Sequence, residues 1–512
     1  MRLARNAALS FVIFSLVAAA CSSGGESESP SLSASSTSLR VAMQADISSF
    51  DPDNNFEVAG LGAITAVYQG LVHYKTGTTE VEGLLAESWD VSSDGTTYTF
   101  HLRPDVTFHD GSPMTSKEVL DSFERRQTDD SLILNYFLLG VKKMTAPDPS
   151  TFVVQLSGAD PAFIDNLSSA WGPKVVGPEA LKDNAGDDGA KTYLNEHADG
   201  TGPYMLESFN RGQGYVLKAF PDYWGSAPYF ETVDIAIVPD IGQQILQLKD
   251  GELDMILHGY PFAQLDALPS GLNVYSYNDL GLQMAYVNPN KLPEPDQRLK
   301  VAAALNPSGW VTDAFGSYAT VAESLFPKAM IQPPTPVQYP SLDDYADVKV
   351  PTVDIVYTAE EAAVQQRVAD LMVAKLTAAG IEATARALPA DQVNNFSADP
   401  EAGPTIVIAQ NNPDSAHPST QAGLFYMTGA PLNLFGYSNK AADDAFNEAY
   451  PITDIPSRND LYLKGSDLLF EDGGFYPLAD VQDVIVYRDG LSNLESRPAI
   501  PWNIDFGAVS EG

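Results

Sequence analysis

The sequence contains a single cysteine, Cys21, among its 512 residues. One cysteine cannot form a disulfide within the chain, so a disulfide framework is excluded as a source of stability. The six histidines stand singly, with no neighbour at a spacing typical of metal ligands. We therefore expect no dedicated metal site, although a chelate of a metal with an organic acid would need few protein ligands.

Positive charge is also scarce in this chain. Lys and Arg number 29 against 67 Asp and Glu, which gives a formal net charge of −38. Such a chain repels phosphate backbones and anionic lipid surfaces, so nucleic acid and anionic lipids are poor partners. A solvated acidic surface is the simpler explanation of the charge, and attraction of cationic ligands is the alternative.

Recurrent catalytic spacings are missing as well. The chain has no Gly-x-Ser-x-Gly elbow, no His-Glu-x-x-His pair and no Gly-x-x-x-x-Gly-Lys phosphate loop, which removes the common hydrolase, metalloprotease and nucleotide-binding signatures. Carboxylates are numerous, but no pair is distinguished by spacing as a glycosidase pair. We interpret the protein as a non-enzyme without a cofactor, with a hydrolase as the remote alternative.

The first 20 residues have the layout of a secretion signal. Two arginines precede an apolar run that is too short to span a bilayer comfortably and that ends in small residues at Ala20. This layout resembles a bacterial lipoprotein signal, which implies that Cys21 is lipidated and anchors the protein at the outer face of the cytoplasmic membrane. Residues 21–38 are mostly Ser, Gly, Thr and Glu, and we interpret them as a flexible tether.

Residues 84–111 form the most informative stretch, LLAESWDVSSDGTTYTFHLRPDVTFHDG. The turn at Asp94–Gly95 between two strand-like segments predicts a β-hairpin. Its second strand alternates three apolar side chains on one face, Tyr98, Phe100 and Leu102. Thr115, followed three residues later by Glu118, predicts a capped helix that begins at Ser116.

This stretch resembles the signature of the family 5 extracellular solute-binding proteins, the dipeptide, oligopeptide and nickel receptors of ABC importers. The shared motifs are Leu-Ala-Glu-Ser-Trp, Tyr-Thr-Phe-x-Leu-Arg and Phe-His-Asp-Gly, and weaker landmarks follow at residues 201–204, 222–225 and 251–254. The resemblance spans roughly Leu39 to Asn493. It implies a monomeric receptor that binds a peptide or other small solute and docks on a permease–ATPase complex.

The resemblance also implies the fold class: α/β, with a two-lobed periplasmic-binding-protein-like fold of the class II type and an additional N-terminal α+β subdomain. The length of the chain agrees, since 512 residues exceed what one hydrophobic core usually supports. From the order of the motifs we assign residues 39–67, 198–276 and 481–512 to lobe I. We assign residues 68–197 to its additional subdomain and residues 277–480 to lobe II.

Candidate ligand contacts follow from the predicted strand ends. One strand is predicted at Leu39–Met43, ahead of an Asp- and Asn-rich loop, and a buried strand is predicted at Thr405–Ala409, ahead of a polar loop. In open α/β sheets ligands bind beyond the carboxyl ends of the strands. The predicted ligand-binding residues are Asp53, Asn54, Asn55, Ala409, Gln410, Asn411 and Asp414.

Asn411 marks a departure from the family pattern. Peptide receptors of the family place an Asp in this loop, where it pairs with the α-ammonium of the peptide, and they have a second acidic position later in the loop. When Asp414 is aligned with that later position, Asn411 stands where the ammonium-binding Asp would be. A neutral amide does not compensate a buried ammonium. Either Asp414 takes over this role or the ligand lacks a free amino terminus, as in blocked peptides, modified amino acids or sugar-like solutes.

The function implied by the resemblance is therefore a substrate-binding lipoprotein that captures a peptide or peptide-like solute between its lobes and delivers it to a permease. The alternative is a lipoprotein on the same scaffold that acts in adhesion, signalling or chaperoning.

Overall fold

The structure is a computed structural model and describes residues 38–512. Its strands are, in chain order, β1 Ser38–Met43, β2 Val72–Tyr74, β3 Val81–Gly83, β4 Ala86–Val91, β5 Thr97–Leu102, β6 Val141–Asp148, β7 Thr151–Leu156, β8 Tyr204–Asn210, β9 Gly214–Ala219, β10 Thr232–Ile237, β11 Met255–Ile256, β12 Leu272–Val287, β13 Ala319–Val321, β14 Val353–Thr358, β15 Ala383–Leu388, β16 Ile406–Asn411, β17 Phe475–Arg488, β18 Leu491–Ser492 and β19 Ser510–Glu511.

The α-helices of the same residues are α1 Leu61–Val67, α2 Ser116–Thr128, α3 Phe163–Ser168, α4 Lys191–Leu194, α5 Ile241–Lys249, α6 Phe262–Leu265, α7 Pro295–Leu305, α8 Val311–Phe315, α9 Ala362–Ala378, α10 Ala390–Asn394, α11 Pro418–Gln421, α12 Lys440–Ala449 and α13 Ile455–Glu471. A 3-10 turn at Ile133–Leu138 joins α2 to β6.

One mixed sheet runs through both lobes, in the order β15-β14-β16-β12-β17-β11-β1-β10-β9-β8, with β13 paired to β17. The two longest strands, β12 and β17, pair antiparallel along most of their length. Towards one end of the sheet β17 meets β11, and towards the other β12 meets β16. These two strands therefore form the connection between lobe I and lobe II.

The hydrophobic cores are separate on the two sides of this connection. One core is centred on β1, β9 and β10, and two others cover opposite faces of β12, β14 and β16. A further core fills the four-stranded sheet β4-β5-β7-β6 and its covering helix α2. The structure thus has two lobes and an additional α+β unit, while the residue boundaries that we assign to them remain a prediction.

The signature hairpin is confirmed. β4 and β5 pair antiparallel, and all three predicted face residues of β5 are buried. Gly95 lies at φ +68°, in the left-handed region that favours glycine at the turn. The capping box is also confirmed, because the Thr115 side chain accepts from the Lys117 amide while the Glu118 carboxylate accepts from the Thr115 amide, and α2 begins at Ser116.

Some predicted elements differ at their ends. The spacing of Tyr68 and Leu71 predicts that both lie on the first helix, but α1 ends at Val67. The helix does not continue, and the carbonyl of its last residue, Val67, accepts from the Gly202 amide of another segment. Ser38, the last residue of the predicted tether, already belongs to β1, where it pairs with Thr232.

Among residues 38–512, no helix combines the length and the apolar character that a bilayer crossing requires. In the same part of the chain no three His, Cys, Asp or Glu side chains are grouped so that they could hold a metal ion. The predicted signal, Cys21 and all of the predicted tether except Ser38 lie outside the described residues.

Candidate ligand-binding cleft

The first predicted loop, Asp51–Asn55, is held by two buried arginines of α2. Arg125 contacts both oxygens of Asp51 at 2.9 and 2.6 Å and the Asp53 carboxylate at 2.6 Å. Arg126, which has no exposed side-chain surface, donates from Nε to Asp53 at 2.5 Å. Both carboxylates therefore have their counter-charges within the chain, and this explains how such an acidic loop can be buried.

The two asparagines of this loop are less free than the sequence suggests. The backbone N–H of Asn54 donates to the Asp51 carbonyl, and the residue is half-buried. The Asn55 side chain donates to the Ser49 carbonyl at 2.9 Å, while its Oδ1 atom is buried without a hydrogen-bond partner among the described residues. Among the described residues of this loop, Asn55 alone has a buried side-chain atom without a partner, and ligand binding by this loop remains a prediction.

The second predicted loop follows β16, which lies between β12 and β14 in the sheet. Asn411 is the last residue of β16 and is buried. Its Oδ1 atom accepts from the Tyr286 hydroxyl at 2.7 Å, whereas its Nδ2 atom has no partner among the described residues. Ala409 and Gln410 are half-buried at the same strand end, and the Ala409 carbonyl accepts from the Gln283 amide at 3.2 Å.

Asp414 belongs to the contact between the lobes. Its Oδ2 atom accepts from the Tyr136 hydroxyl at 2.6 Å, and the residue is 5% exposed. Burial raises the pKa of the Asp414 carboxyl to about 6, and the hydrogen bond from Tyr136 opposes this shift. Tyr136 lies in the predicted subdomain of lobe I, so this bond joins the two sides of the molecule.

Two more hydrogen bonds join the same segment to the subdomain. The Ser415 hydroxyl donates to Asn166 Oδ1 at 3.0 Å, and the Ala416 amide donates to the Tyr74 hydroxyl at 2.9 Å. The Tyr74 hydroxyl in turn contacts the Asp165 carboxylate at 3.0 Å. The lobes are therefore in contact over the loop that follows β16.

The 3-10 turn at Ile133–Leu138 brings the two predicted loops near each other. The Leu134 amide donates to the Asp53 carbonyl at 3.3 Å, and two residues later Tyr136 binds Asp414. The loops thus meet opposite parts of one turn without a direct side-chain contact between them. Sequence reasoning did not identify this turn, because its residues carry no recognisable motif.

Three carboxylates at the crossing strands were also missed: Asp279 on β12, and Asp480 and Asp483 on β17. The register of β12 and β17 is interrupted between Asn278 and Leu282, and Asp279 lies in this interruption. The sequence gives little sign of them: the crossing strand is predicted only from Gln283 to Asn288, and Asp279 and Gly281, residue types that are depleted in strands, lie outside that range although β12 includes them.

A small cavity opens between the lobes beside these carboxylates. It has a volume of about 120 Å³ and is lined from lobe I by Leu257, His258 and Trp502 and from lobe II by Glu360 and Glu361. The His258 and Trp502 rings stack with their centroids 3.8 Å apart, and the Trp502 amide nitrogen donates to Asp483 at 2.7 Å. The volume suits a few water molecules or one small chemical group.

A second cavity, of about 170 Å³, lies on the lobe I side and shares no residue with the loop after β16. Its wall includes Lys174, whose pKa is lowered to about 7 by burial and by the nearby charge of Arg126. The Lys174 ammonium donates to the Ser169 carbonyl at 2.9 Å. This cavity does not bring together residues from both lobes, so it is the weaker candidate for capture by closure.

Comparison with known proteins agrees with this architecture. The family of bacterial extracellular solute-binding proteins, family 5 Middle, matches residues 80–431, which is more than half of the chain. The probable D,D-dipeptide-binding periplasmic protein DdpA of Escherichia coli is 28% identical over 460 residues, covering 85% of this chain and 87% of that protein. The glutathione-binding protein GsiB of Shigella flexneri is 25% identical over 478 residues, covering 90% and 92%.

A solved structure shows the same fold. The periplasmic binding protein DppA from Helicobacter pylori, in complex with the peptide STSA, superposes with a TM-score of 0.77 at 24% identity, covering 93% of this chain and 98% of that one. This similarity confirms the two-lobed α/β fold predicted from the sequence. The match to the family over more than half of the chain settles its membership. The protein therefore belongs to family 5 of the bacterial extracellular solute-binding proteins.

Proposed function

We propose that the protein captures a peptide or peptide-like solute between its lobes and delivers it to the membrane permease of an ABC importer. The observation that carries the proposal is the closed contact around the loop after β16. Three hydrogen bonds join that loop to lobe I, yet Asn411 Nδ2 at the end of β16 and Asn412 Oδ1 at the start of the loop are buried without a partner among the described residues. Buried polar atoms are normally satisfied, so a bound solute is the natural partner.

Closure is the step that links binding to transport. A solute that contacts both lobes favours the closed state by the difference in its affinity for the closed and open states. The permease then needs to recognise only the closed form. The names of the two relatives, which bind D,D-dipeptides and glutathione, support small peptides and peptide-like compounds as the class of solute.

Thermal unfolding with a panel of di- and tripeptides of L and D configuration, glutathione, opines, sugars and nickel chelates tests this function. A true ligand stabilises the folded protein by roughly 2.7 kcal/mol at a hundredfold excess over its Kd. Small-angle scattering should show a smaller radius of gyration with the same compound. If no member of the panel raises the unfolding temperature, the transport function is contradicted.

The predicted role of Asn411 has its own test. Asn411→Ala should weaken binding of the compound identified above, because it removes the unsatisfied amide from the cleft, and Asn411→Asp should strengthen binding of free-amine peptides. Asn395→Ala, at an exposed position of lobe II, is the matched control. Unchanged affinity in both Asn411 variants would show that this loop does not carry recognition.

We also propose that Cys21 carries the lipid that anchors the protein outside the cytoplasmic membrane. Cys21→Ala should leave the folded protein unchanged and release it from the membrane fraction or block its processing. Labelling of cells with a fatty acid checks the proposal, because equal incorporation into the Cys21→Ala protein would contradict it.

A further inference from the structure

Lys174 is a buried cation without a counter-charge of its own. The residue is 6% exposed, and its ammonium donates to the Ser169 carbonyl at 2.9 Å. Among residues 38–512 it forms no salt bridge, and the acid that acts on it, Asp53, is already bound by Arg125 and Arg126. A buried ammonium without a paired anion is costly, because its hydration is lost and no opposite charge replaces it.

Lys174 borders the open space of the 170 Å³ cavity described above. The predicted subdomain contributes wall residues between 68 and 73 and between 168 and 174, and lobe I contributes others between 62 and 66 and between 497 and 506. One water molecule needs only a small fraction of this volume. The cavity therefore has room for a small ion together with part of its hydration shell.

The other ionisable groups of the wall do not balance the charge of Lys174. Arg497 is paired within the wall with Asp505, at 3.0 Å. Burial and the nearby charges of Arg497 and Lys174 lower the pKa of His73 to about 4, so this ring is neutral near pH 7. The wall therefore carries one net positive charge whenever Lys174 is protonated.

The wall also has unused hydrogen-bond donors. Lys174 has three N–H donors, and its bond to Ser169 uses one of them. The Ser169 and Tyr223 hydroxyls each accept one hydrogen bond, at 3.1 and 3.0 Å, but donate to none of the described residues. Within residues 38–512 the Tyr68 hydroxyl and the Asn503 Oδ1 atom are buried without a partner. Donors thus outnumber the single orphaned acceptor, which favours an occupant that only accepts.

We propose that this cavity binds a small monovalent anion, chloride or a short carboxylate, which pairs with the Lys174 ammonium and accepts from the Ser169 hydroxyl. The anion bridges the predicted subdomain and lobe I, because both contribute to the wall. The site goes beyond solute capture, since the cavity shares no residue with the loop after β16. An anion bound there stabilises the folded protein without any solute.

Thermal unfolding of the solute-free protein at constant ionic strength tests the inference. Sodium chloride, sodium formate and sodium acetate each replace sodium gluconate, whose bulky anion serves as the reference. At pH 6 the unfolding temperature should rise with the concentration of the small anion, and the concentration dependence gives its Kd. A response to chloride alone identifies a halide site, whereas a response to formate and acetate identifies a carboxylate site.

Variants of Lys174 locate the effect. Lys174→Met removes the charge, so it should abolish the response to the small anions and raise the unfolding temperature in gluconate, where the charge is unpaired. Lys174→Arg keeps a positive charge and should keep the response. Lys142→Met removes an exposed lysine of β6 in the same subdomain, and this matched control should respond like the wild type.

The response should also depend on pH. Lys174 is acted on by Arg126 and Asp53, and it shares the cavity wall with His73, Arg497, Asp505, Tyr68 and Tyr223. Because the pKa of Lys174 is about 7 and only its protonated form pairs with the anion, the Kd should rise roughly tenfold between pH 6 and pH 8. Lys174→Arg should show no such rise, since arginine keeps its proton.

Two results would overturn the site without bearing on solute capture. One is an equal unfolding temperature of the wild type in chloride, formate, acetate and gluconate, which would leave water alone in the cavity. The other is a response that persists unchanged in Lys174→Met. If that variant does not fold, crystals of the wild type grown with the stabilising anion, or with bromide in place of chloride, decide the matter. The anion should lie beside Lys174, and an anion found only elsewhere would contradict the proposal.

Discussion

Two groups of buried carboxylates differ in where their positive charge comes from. Asp51 and Asp53 are neutralised by Arg125 and Arg126 of α2, which contact them at 2.5 to 2.9 Å. The group at the crossing strands, Asp279, Asp480 and Asp483, forms no salt bridge among the described residues, although the positive charge of Lys328 acts on Asp480 from nearby. The first group is compensated by arginines within the fold, whereas burial raises the pKa of each carboxyl in the second group.

Removal of a cation from the paired group should have the largest effect on stability. Arg126→Ala leaves Asp53 Oδ1 and the carbonyls of Pro52 and Trp171 without their donor, although Arg125 still donates to Asp53 Oδ2. We expect a loss of about 3 to 5 kcal/mol in the free energy of unfolding, the usual cost of breaking a buried ion pair. Urea unfolding followed by circular dichroism measures it.

The control for this loss is Lys117→Ala. Lys117 forms an exposed i,i+4 pair with Asp121 on the same helix, and such pairs contribute about 0.3 to 0.5 kcal/mol. A similar loss in both variants would mean that the burial of the Asp53–Arg126 pair is not what stabilises this region.

Asp480, in the second group, should make the stability of the ligand-free protein depend on pH. Burial raises the pKa of Asp480 to about 7, so the folded protein binds this proton more tightly than the unfolded chain does. The free energy of unfolding of the ligand-free protein should therefore fall as pH rises from about 4 to about 7.

Asp480→Asn should remove part of this slope and stabilise the ligand-free protein at pH 7 by on the order of 2 kcal/mol. This value is below the full linkage energy, because the residue keeps some solvent exposure. Thermal unfolding across this pH range measures the slope, and an equal slope in the variant and the wild type would contradict the assignment.

The contrasting acid is Asp254, which is paired with Arg40 and Arg488. Its pKa is lowered, and although burial opposes the shift, the hydrogen bonds from the two arginines outweigh it. The stability that this pair contributes is present above the unfolded pKa of the acid and is lost as pH falls below about 4. Asp254→Asn should therefore weaken the protein at pH 7, the reverse of Asp480→Asn, and a gain in unfolding temperature would contradict the comparison.

The smallest expected effect concerns the contact that closes the lobes. Tyr136→Phe removes the donor to Asp414 and leaves a buried carboxyl without that partner, at a cost of about 1 to 2 kcal/mol in the closed state only. The Kd of a bound solute should rise roughly tenfold. Tyr98→Phe is the control, because its hydroxyl donates to the Asp160 carbonyl within the subdomain. Equal changes of Kd in both variants would argue against a closing role for Tyr136.

Local signals predicted much of the fold. The strand predicted at Leu39–Met43 is found at Ser38–Met43, and the capping box fixes the start of α2 at Ser116. These elements are encoded by spacing and by end residues, which act over a few positions. The predicted loop after β16 also lies at the interlobe contact, because the strand-end rule depends only on sheet topology.

The pairing of charges could not be predicted in the same way. Asp53 and Arg126 are separated by 73 positions, and Tyr136 and Asp414 by 278. The sequence near Asp53 does not show that two arginines form salt bridges with it. The sequence near Asp279 likewise does not show that this residue lacks such a partner. Such pairings depend on tertiary packing, so both the paired and the unpaired group became visible only in the structure.

The position of β17 has a consequence for the order in which the chain acquires its structure during synthesis. β17 spans Phe475–Arg488 and lies between β11 and β12 in the sheet. The ribosome makes β1 more than 400 residues before β17, so the hydrogen-bonding edge of β11 stays uncovered until the chain is almost complete. An uncovered strand edge invites pairing with other chains. We therefore expect lobe I, although it begins first, to finish folding last, and nascent chains stopped before residue 475 to aggregate.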